Sequence, residues 1–372
     1  MKAVVENYSS LRERKVSTRM MVTIATFLIL LSLGLLNLYS AATPAIFRNQ
    51  IQHTVCGLIV FVLLGWFVSL RLANTYSYVV YGFIGAILAA VLISGYSAGG
   101  AQRWFVLGPI RFQPSELAKM SIVCFIAKYF YNNRVQFSYR ISELWPALIA
   151  VGFYFIVIFV QPDFGTAGMC VLIPLAQLCF IRVAIKVRTV IALGIAGLVS
   201  VVVGWEFFLR PYQKLRIVNL FNPGQDPTGS GYNSLQSLVA IGSGGQWGKG
   251  FLQGTQAQLQ FLPARQTDFI FSVFAEERGF WGGTVAFVLF CILGYAALEI
   301  GREAKNTFST LLAIGIAALL FIEFTINVAM VLGIFPVVGM PLPFFSYGGT
   351  ALITYCAAVG LLVAIERETI KG

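Results

Sequence analysis

The sequence predicts an all-α polytopic membrane protein with about ten transmembrane helices and a large extracytoplasmic loop between the seventh and the eighth. Of its 372 residues, 58% are hydrophobic and only 11% are charged, and the mean hydropathy is +0.80. A single soluble core cannot bury that much apolar surface, so lipid is expected to be the main solvent. One transmembrane domain is therefore predicted for the whole chain, 1–372, without a separate soluble domain.

Each predicted span is an apolar run of roughly 20 residues, the length at which a helix crosses the hydrocarbon layer while pairing its own backbone groups. The predicted spans lie near residues 20–40, 51–70, 76–95, 115–131, 144–160, 165–182, 187–209, 268–298, 307–333 and 348–365. The fourth and sixth runs are short and flanked by Pro or Gly, which is typical of helices that end against protein or water rather than lipid.

Basic residues set the predicted orientation, because cytoplasmic loops carry an excess of Lys and Arg. Most basic residues fall in the N-terminal segment 1–19, at the C-terminal end and in alternate loops. Both termini are therefore predicted to be cytoplasmic, and 210–267 becomes the large extracytoplasmic loop. All three aspartates of the chain then fall at the outer face, and chemistry is expected there. They are Asp163, Asp226 and Asp268.

Composition argues against two other kinds of site. The net charge is +11, but the basic residues are scattered among hydrophobic runs rather than gathered into one patch, so a nucleic-acid partner is not expected. The six cysteines lie in apolar segments without metal-ligand spacing, and His53, the only histidine, has no Cys or His partner nearby in the sequence. A zinc site is therefore not expected.

Several charged residues of the predicted spans have a structural as well as a functional interpretation. Asp268 begins the eighth span, where an aspartate can simply be an N-cap. Glu276 and Glu277 lie further along that span, where ionisable groups are usually functional or paired, and a local ion pair with Arg278 would satisfy them.

Two more candidates lie around the fourth and sixth spans. Glu116 and Lys119 share one helix face, so an ion pair inside the bundle accounts for both. Asp163, in the break between the fifth and sixth spans, can cap the sixth helix.

Two segments are predicted to be irregular or to lie at the membrane surface. FPVVGMPLPFFSYGGT, near the C-terminal end, places Pro and Gly where a loop either folds back into the membrane or connects two spans tightly. The stretch 232–241 has an amphipathic pattern, which indicates a surface-lying helix, although a structured loop without chemistry is the alternative. Its lipid-facing residues would be Tyr232, Leu235, Leu238 and Val239, and its water-facing residues Asn233, Gln236 and Ser237.

Seven motifs follow one another along the chain: AQRW, RFQPSELAK, QPDFGT, the Asp-Pro of NPGQDP, GSGGQWGKG, LPARQTDFIFSVFAEERG and PLPFFSYGG. In this order they resemble the SEDS family of bacterial cell-wall proteins, and the match covers almost the entire chain. The GTQAQLQFLP stretch is more similar to the elongation branch, RodA, than to the division branch, FtsW.

The resemblance implies a peptidoglycan glycosyltransferase of the bacterial cytoplasmic (inner) membrane. Such an enzyme polymerises lipid II, a disaccharide-peptide joined by pyrophosphate to an undecaprenyl chain, on the outer face during elongation and cell-shape maintenance. It also implies a class B penicillin-binding protein as partner, which supplies transpeptidation.

The resemblance also assigns roles to residues. Asp268 matches the family's essential aspartate and is the expected general base, while Lys119 and Asp163 match functionally important positions, with Glu116 positioning Lys119. Candidates for holding pyrophosphate, by charge and side alone, are Arg103, Arg111, Arg210 and Arg216. A divalent cation, Mg²⁺ or Mn²⁺, could share that role.

This chain departs from the family pattern at two positions. Gln266 stands where family members often have histidine, and Arg278 replaces a commonly apolar residue. Two other functions compete with polymerisation. A lipid II flippase would also need broken helices and intramembrane charges, and a structural scaffold would need neither. The gathering of the aspartates at one face favours the polymerase.

Overall fold

A computed structural model describes residues 2–98, 101–107, 110–133, 138–181, 183–184, 204, 206, 209, 211–222, 226, 229–259 and 261–370. Its helices are α1 (Lys2–Ala41), α2 (Pro44–Val62), α3 (Leu70–Ser94), α4 (Pro114–Asn132), α5 (Trp145–Val160), α6 (Phe164–Cys179), α7 (Pro211–Phe221), α8 (Ser230–Gly244), α9 (Thr255–Gln258), α10 (Ile270–Glu303), α11 (Thr307–Val331) and α12 (Gly349–Ile370). A π-helical turn, Leu63–Phe67, extends α2, and a short 3-10 turn, Ile141–Glu143, precedes α5.

The helices confirm a polytopic helical protein. Within the described residues, 6 helical stretches are long and apolar enough to cross a membrane: Thr18–Ala41, Pro44–Phe67, Leu70–Ile93, Ile270–Glu303, Thr307–Val331 and Gly349–Ile370. The shorter apolar helices α5 and α6 match the predicted fifth and sixth spans, and α4 matches the fourth. The predicted seventh span, 187–209, lies outside the described residues apart from 204, 206 and 209.

Small sheets add to the predicted helical fold outside the spans. Strands β1 (Tyr96–Ala98), β2 (Ala101–Leu107) and β3 (Ile110–Phe112) form an antiparallel sheet between α3 and α4. The short strands β4 (Tyr139–Arg140) and β5 (Val183–Ala184) pair in parallel. In these strands the backbone groups pair across the sheet instead of along a helix.

The C-terminal helix lies at the centre of the bundle. In α12, 83% of the most apolar window is buried inside the protein, against 28% in α3. The irregular segment 332–348 before α12 is also packed inward, and Leu342, Phe344 and Phe345 are almost fully buried. At Gly34, α1 passes so close to the Phe344 carbonyl that a Cβ would lie 2.2 Å from that oxygen, so only glycine fits there.

Helix α10 is interrupted at Gly279, where φ is 66° and ψ is −165°. The preceding loop supplies the hydrogen bonds that this interruption frees. The N–H groups of Lys249 and Gly250 donate to the carbonyls of Glu276 and Glu277 at 3.0 and 3.1 Å. In return the N–H of Phe280 donates to the carbonyl of Gly245 at 2.9 Å. The loop 245–258 is therefore docked onto the first part of α10.

Candidate active site

Asp268 lies just before α10 and is half-buried. It is not the N-cap of that helix, because the N-cap position is Phe269 and no side chain caps the first turn. Its backbone is held in place by Asn327 of α11, whose Nδ2 donates to the Asp268 carbonyl at 2.9 Å and to the Met340 carbonyl at 2.7 Å. The backbone of Asp268 is therefore anchored just before α10, and its carboxylate is not used as a cap.

The segment 332–348 surrounds this aspartate. A Cβ at Gly339, where φ is +72°, would lie 3.4 Å from Asp268 Oδ2, so the backbone there passes close to the carboxylate. Ser346 Oγ donates to the Thr267 carbonyl at 2.7 Å. The Tyr347 N–H donates to the Gln266 carbonyl at 2.8 Å, so the backbone of Gln266 fastens this segment beside the aspartate.

Three charged side chains act on Asp268. Burial raises the pKa of Asp268 to about 6, the cations Arg216 and Arg103 oppose that increase, and the neighbouring carboxylate of Asp163 adds to it. A carboxylate with this pKa is a stronger base than a solvated aspartate and is still mostly ionised at neutral pH. Its charge environment therefore suits proton abstraction.

Asp163 is the N-cap of α6 and also contacts the site. Its Oδ1 accepts from the Thr166 N–H at 3.3 Å and lies 3.8 Å from the guanidinium of Arg103. Arg103 in turn donates to the carbonyls of Gln161 and Pro162. The structural and functional interpretations of Asp163 are compatible, since one carboxylate caps the helix and also holds an arginine of the site.

Arg216 approaches from α7 and donates to the Val337 carbonyl at 3.1 Å. It lines a small open pocket between α7, α8 and the segment after α11. Arg111 belongs to β3, but its side chain lies outside the described residues, as does the whole of Arg210. Of the four predicted arginines, Arg103 and Arg216 are therefore placed where their charges act on Asp268.

Glu116 and Lys119 form a separate, buried cluster with Glu323 of α11. Lys119 Nζ lies 2.8 Å from Glu116 Oε2 and forms a second ion pair with Glu323 Oε1. The predicted pair is therefore present, but sequence reasoning missed its third member. The only available signal was a lone glutamate inside an apolar helix.

Glu276 and Glu277 bind the loop 245–258 rather than pairing with Arg278. Glu276 Oε1 lies 2.7 Å from Lys249 Nζ, and Glu277 Oε1 accepts from Ser40 Oγ and from the Leu252 N–H. The alternative of a local ion pair with Arg278 is not formed, because the loop supplies partners to both carboxylates and α1 supplies Ser40 to Glu277. The Arg278 guanidinium lies 5.5 Å from the centroid of the Phe251 ring.

The amphipathic stretch 232–241 is helical, as predicted, but one residue faces the other way. Ser237 is buried, its Oγ shares a 2.7 Å hydrogen bond with Ser272 Oγ, and it donates to the Val331 carbonyl. Its assignment to water is wrong because a small hydroxyl lets α8 pack closely on α10 and α11. Leu235, Leu238 and Val239 are exposed and Tyr232 is half-buried, so the lipid-facing side remains a prediction.

The Asp226 carboxylate forms its hydrogen bonds with neighbouring residues of the loop. Burial would raise its pKa, but the N–H groups of Gly231 and Gly229 and the amide of Asn219 together hold the pKa of Asp226 below its ordinary value.

Among the described residues, no group of three or more His, Cys, Asp or Glu side chains is arranged to hold a metal ion.

Known proteins resemble this chain over nearly its full length. The family model FTSW_RODA_SPOVE, described as a cell cycle protein, matches residues 15–371. The peptidoglycan glycosyltransferase MrdB of Escherichia coli (strain K12) is 36% identical over 321 residues, which cover 86% of this chain and 85% of that protein.

Solved structures agree with the sequence comparison. A chain from work entitled "Structural coordination of polymerization and crosslinking by a peptidoglycan synthase complex" superposes with a TM-score of 0.81 and 29% identity, covering 94% of this chain and 98% of that one. The rod shape determining protein RodA of Thermus thermophilus superposes with a TM-score of 0.66 and 28% identity, covering 95% and 98%.

Proposed function

The chain belongs to the FtsW/RodA/SpoVE family of cell cycle proteins, and from that membership we propose that it is a peptidoglycan glycosyltransferase that polymerises lipid II. The observation that carries the proposal is Asp268: a half-buried carboxylate on which two arginines act electrostatically, with its pKa raised by burial to about 6. That combination supplies a base and cations at one point, as transfer from a pyrophosphate donor requires.

In the proposed reaction, Asp268 removes the proton from an acceptor sugar hydroxyl. The hydroxyl oxygen then forms a bond to the anomeric carbon of the donor, and the bond from that carbon to the pyrophosphate oxygen breaks. Undecaprenyl pyrophosphate leaves with the bonding electrons, and attack from the opposite face inverts the α-linked donor to a β-1,4 product. The proton remains on Asp268 until water removes it.

Arg103 and Arg216 are the cations proposed to receive the pyrophosphate. Both act electrostatically on Asp268, so a charge that develops on the leaving group near the aspartate would also be within their field. Arg111 and Arg210 keep their predicted roles, and Mg²⁺ or Mn²⁺ could contribute beside the diphosphate.

The proposal includes the cellular setting. The active site would face away from the cytoplasm, both termini would lie inside, and a class B penicillin-binding protein would crosslink the new strands during elongation. The MrdB relative and the synthase-complex chain support this assignment, since their names concern glycosyl transfer and coordinated polymerisation and crosslinking.

A lipid II flippase is the competing function. It would need polar groups along the whole depth of the bilayer. Among the described residues, the buried charges of α4 and α11 are paired with one another, and Asp163 and Asp268 lie where α6 and α10 begin. This arrangement favours chemistry at one face.

Labelled lipid II distinguishes the two functions. Purified wild type and Asp268→Ala would each be incubated with it, alone and with the cognate class B penicillin-binding protein, and glycan strands resolved by gel. We expect strands from wild type and none from the variant. Normal polymerisation by Asp268→Ala would contradict the assignment of Asp268 as the general base. Absence of strands even with the partner, together with lipid II flipping in vesicles, would establish the transporter instead.

A further inference from the structure

Glu323 is a buried acid that the proposed reaction leaves without a role. It is 0% exposed, and its carboxylate pairs with Lys119, which is 1% exposed and also pairs with Glu116. The Lys119 Nζ atom lies 5.7 Å from the centroid of the Tyr355 ring, so the cluster touches α12 as well. These contacts join α4, α11 and α12 inside the bundle.

The cluster contains two carboxylates, although one would be enough to pair with Lys119. Glu116, three residues before Lys119 on the same helix, already provides an ion pair at 2.8 Å. A second buried carboxylate adds a desolvation cost, and well-packed apolar residues are often as stabilising as buried ion pairs. Stability alone therefore does not account for Glu323, whereas a requirement to fix α4 against α11 does.

A residue on the next turn of α11 binds the backbone of the proposed catalytic aspartate. Asn327 follows Glu323 by four residues, so both side chains share one face of the helix. Asn327 Nδ2 donates to the backbone carbonyls of Asp268 and Met340. One short stretch of α11 thus makes both contacts: Glu323 forms an ion pair with α4, and Asn327 forms a hydrogen bond with the Asp268 backbone.

The other end of this connection reaches Asp163. Gln113 is the N-cap of α4, its N–H donates to Thr350 Oγ1 at 3.1 Å, and its Nε2 donates to Asp163 Oδ2 at 3.4 Å. Asp163 in turn lies 3.8 Å from Arg103. A shift of α4 along α11 would therefore move the Asp163 and Arg103 pair relative to Asp268.

We propose that Glu323 is a positioning residue: by gripping Lys119 it sets the placement of the Asp163 and Arg103 pair against the carboxylate of Asp268. The inference rests on the proposed polymerase function. Misplacing reacting groups by about 1 Å can cost about 100-fold in rate, so even a partial loss of this grip should be measurable.

The test compares variants of the purified full chain, with its class B partner where needed, on labelled lipid II. Glu323→Ala removes the grip, while Glu323→Gln keeps an oxygen that accepts from Lys119. Thr325→Ala is the matched control, since that exposed hydroxyl donates to the Phe321 carbonyl of its own helix. For each variant kcat and KM are normalised to the folded, monodisperse fraction.

We expect kcat of Glu323→Ala to fall about tenfold with KM within about threefold of wild type. Glu323→Gln should recover kcat to within about threefold, and Thr325→Ala should match wild type. In a Lys119→Met background, Glu323→Ala should cause no further loss, because the two residues act through one contact. That non-additivity would not arise from a general loss of packing.

Wild-type kcat in Glu323→Ala would overturn the inference, as would a full tenfold loss added to that of Lys119→Met. If Glu323→Ala does not fold, Glu323→Asp carries the same comparison, because it withdraws the carboxylate by one methylene while keeping its charge. An inactive wild-type protein would instead overturn the proposed function, so the two failures are distinguishable.

Discussion

Asp268 shows how position changes the chemistry of a common residue. A threonine and aspartate before a helix usually cap it, yet here the N-cap is Phe269 and the carboxylate stands among charged side chains. Burial raises its pKa to about 6, and two arginines keep the increase from being larger. The residue is thereby ionised at neutral pH and basic enough to accept a proton in the transition state.

The charges around Asp268 lead to a prediction about the pH dependence of polymerisation. A general base must be ionised, so the polymerisation rate should fall as the pH drops through about 6 and level off above it. Arg216→Gln removes a cation that lowers the pKa of Asp268, so the acidic limb should move to higher pH, by about one unit. Arg302→Gln, at an exposed site with a 68% exposed side chain, should leave the limb in place. An unmoved limb in Arg216→Gln would exclude the electrostatic coupling.

Local spacing accounts for which residue contacts could be predicted. Glu116 and Lys119 are three residues apart, so one helix turn implies their pairing. Glu323 is 204 residues from Lys119, and no local pattern connects them. Motif order indicated the importance of Asp268 and Asp163, but the contact of Asp163 with Arg103 depends on how β2 meets the start of α6.

At the scale of elements, the interruption of α10 joins the loop to the site. The helix has 34 residues and would measure about 51 Å if straight, longer than a hydrocarbon layer of about 30 Å. Its first part, before Gly279, carries the carboxylates that bind loop 245–258. The predicted span 268–298 located the helix, but a single Gly in an apolar run did not reveal the interruption.

Gly279 should therefore be intolerant of a side chain. A Cβ there would lie 2.3 Å from the Gly248 nitrogen, and φ of +66° is strained for other residues. We expect Gly279→Ala to lower the free energy of unfolding by about 1–3 kcal/mol or more, measured in detergent. Gly294→Ala is the control on the same helix, because its Cβ would meet only Phe321 at 4.0 Å. Equal stability of the two variants would contradict the docking role of Gly279.

At the scale of the whole molecule, the composition was sufficient to predict a helical membrane protein. Apolar length places each span, because lipid imposes the same requirement on every helix. Close packing between spans is less predictable: Ser237 was assigned to water, although it lies buried between α8, α10 and α11. An amphipathic pattern distinguishes polar from apolar side chains but not a surface hydroxyl from one between helices.

The proposed orientation can be tested by labelling single cysteines in a chain that lacks the six native ones. Trp247→Cys, at a 78% exposed position of the loop predicted to be extracytoplasmic, should react with a membrane-impermeant maleimide on intact spheroplasts. Arg302→Cys, at the far end of α10, should react only after permeabilisation. The reason is the excess of basic residues predicted on the cytoplasmic side. The opposite labelling pattern would reverse the topology and place Asp268 inside.

The central claim is that the ionised Asp268 is the base for glycan polymerisation. The most direct measurement is the rate of strand formation from labelled lipid II by wild type and Asp268→Asn, each verified as folded, between pH 5 and pH 8. We predict that the wild-type rate rises through about pH 6 and that Asp268→Asn is at least about 100-fold slower at every pH. A variant that polymerises at the wild-type rate with the same pH dependence would contradict the account.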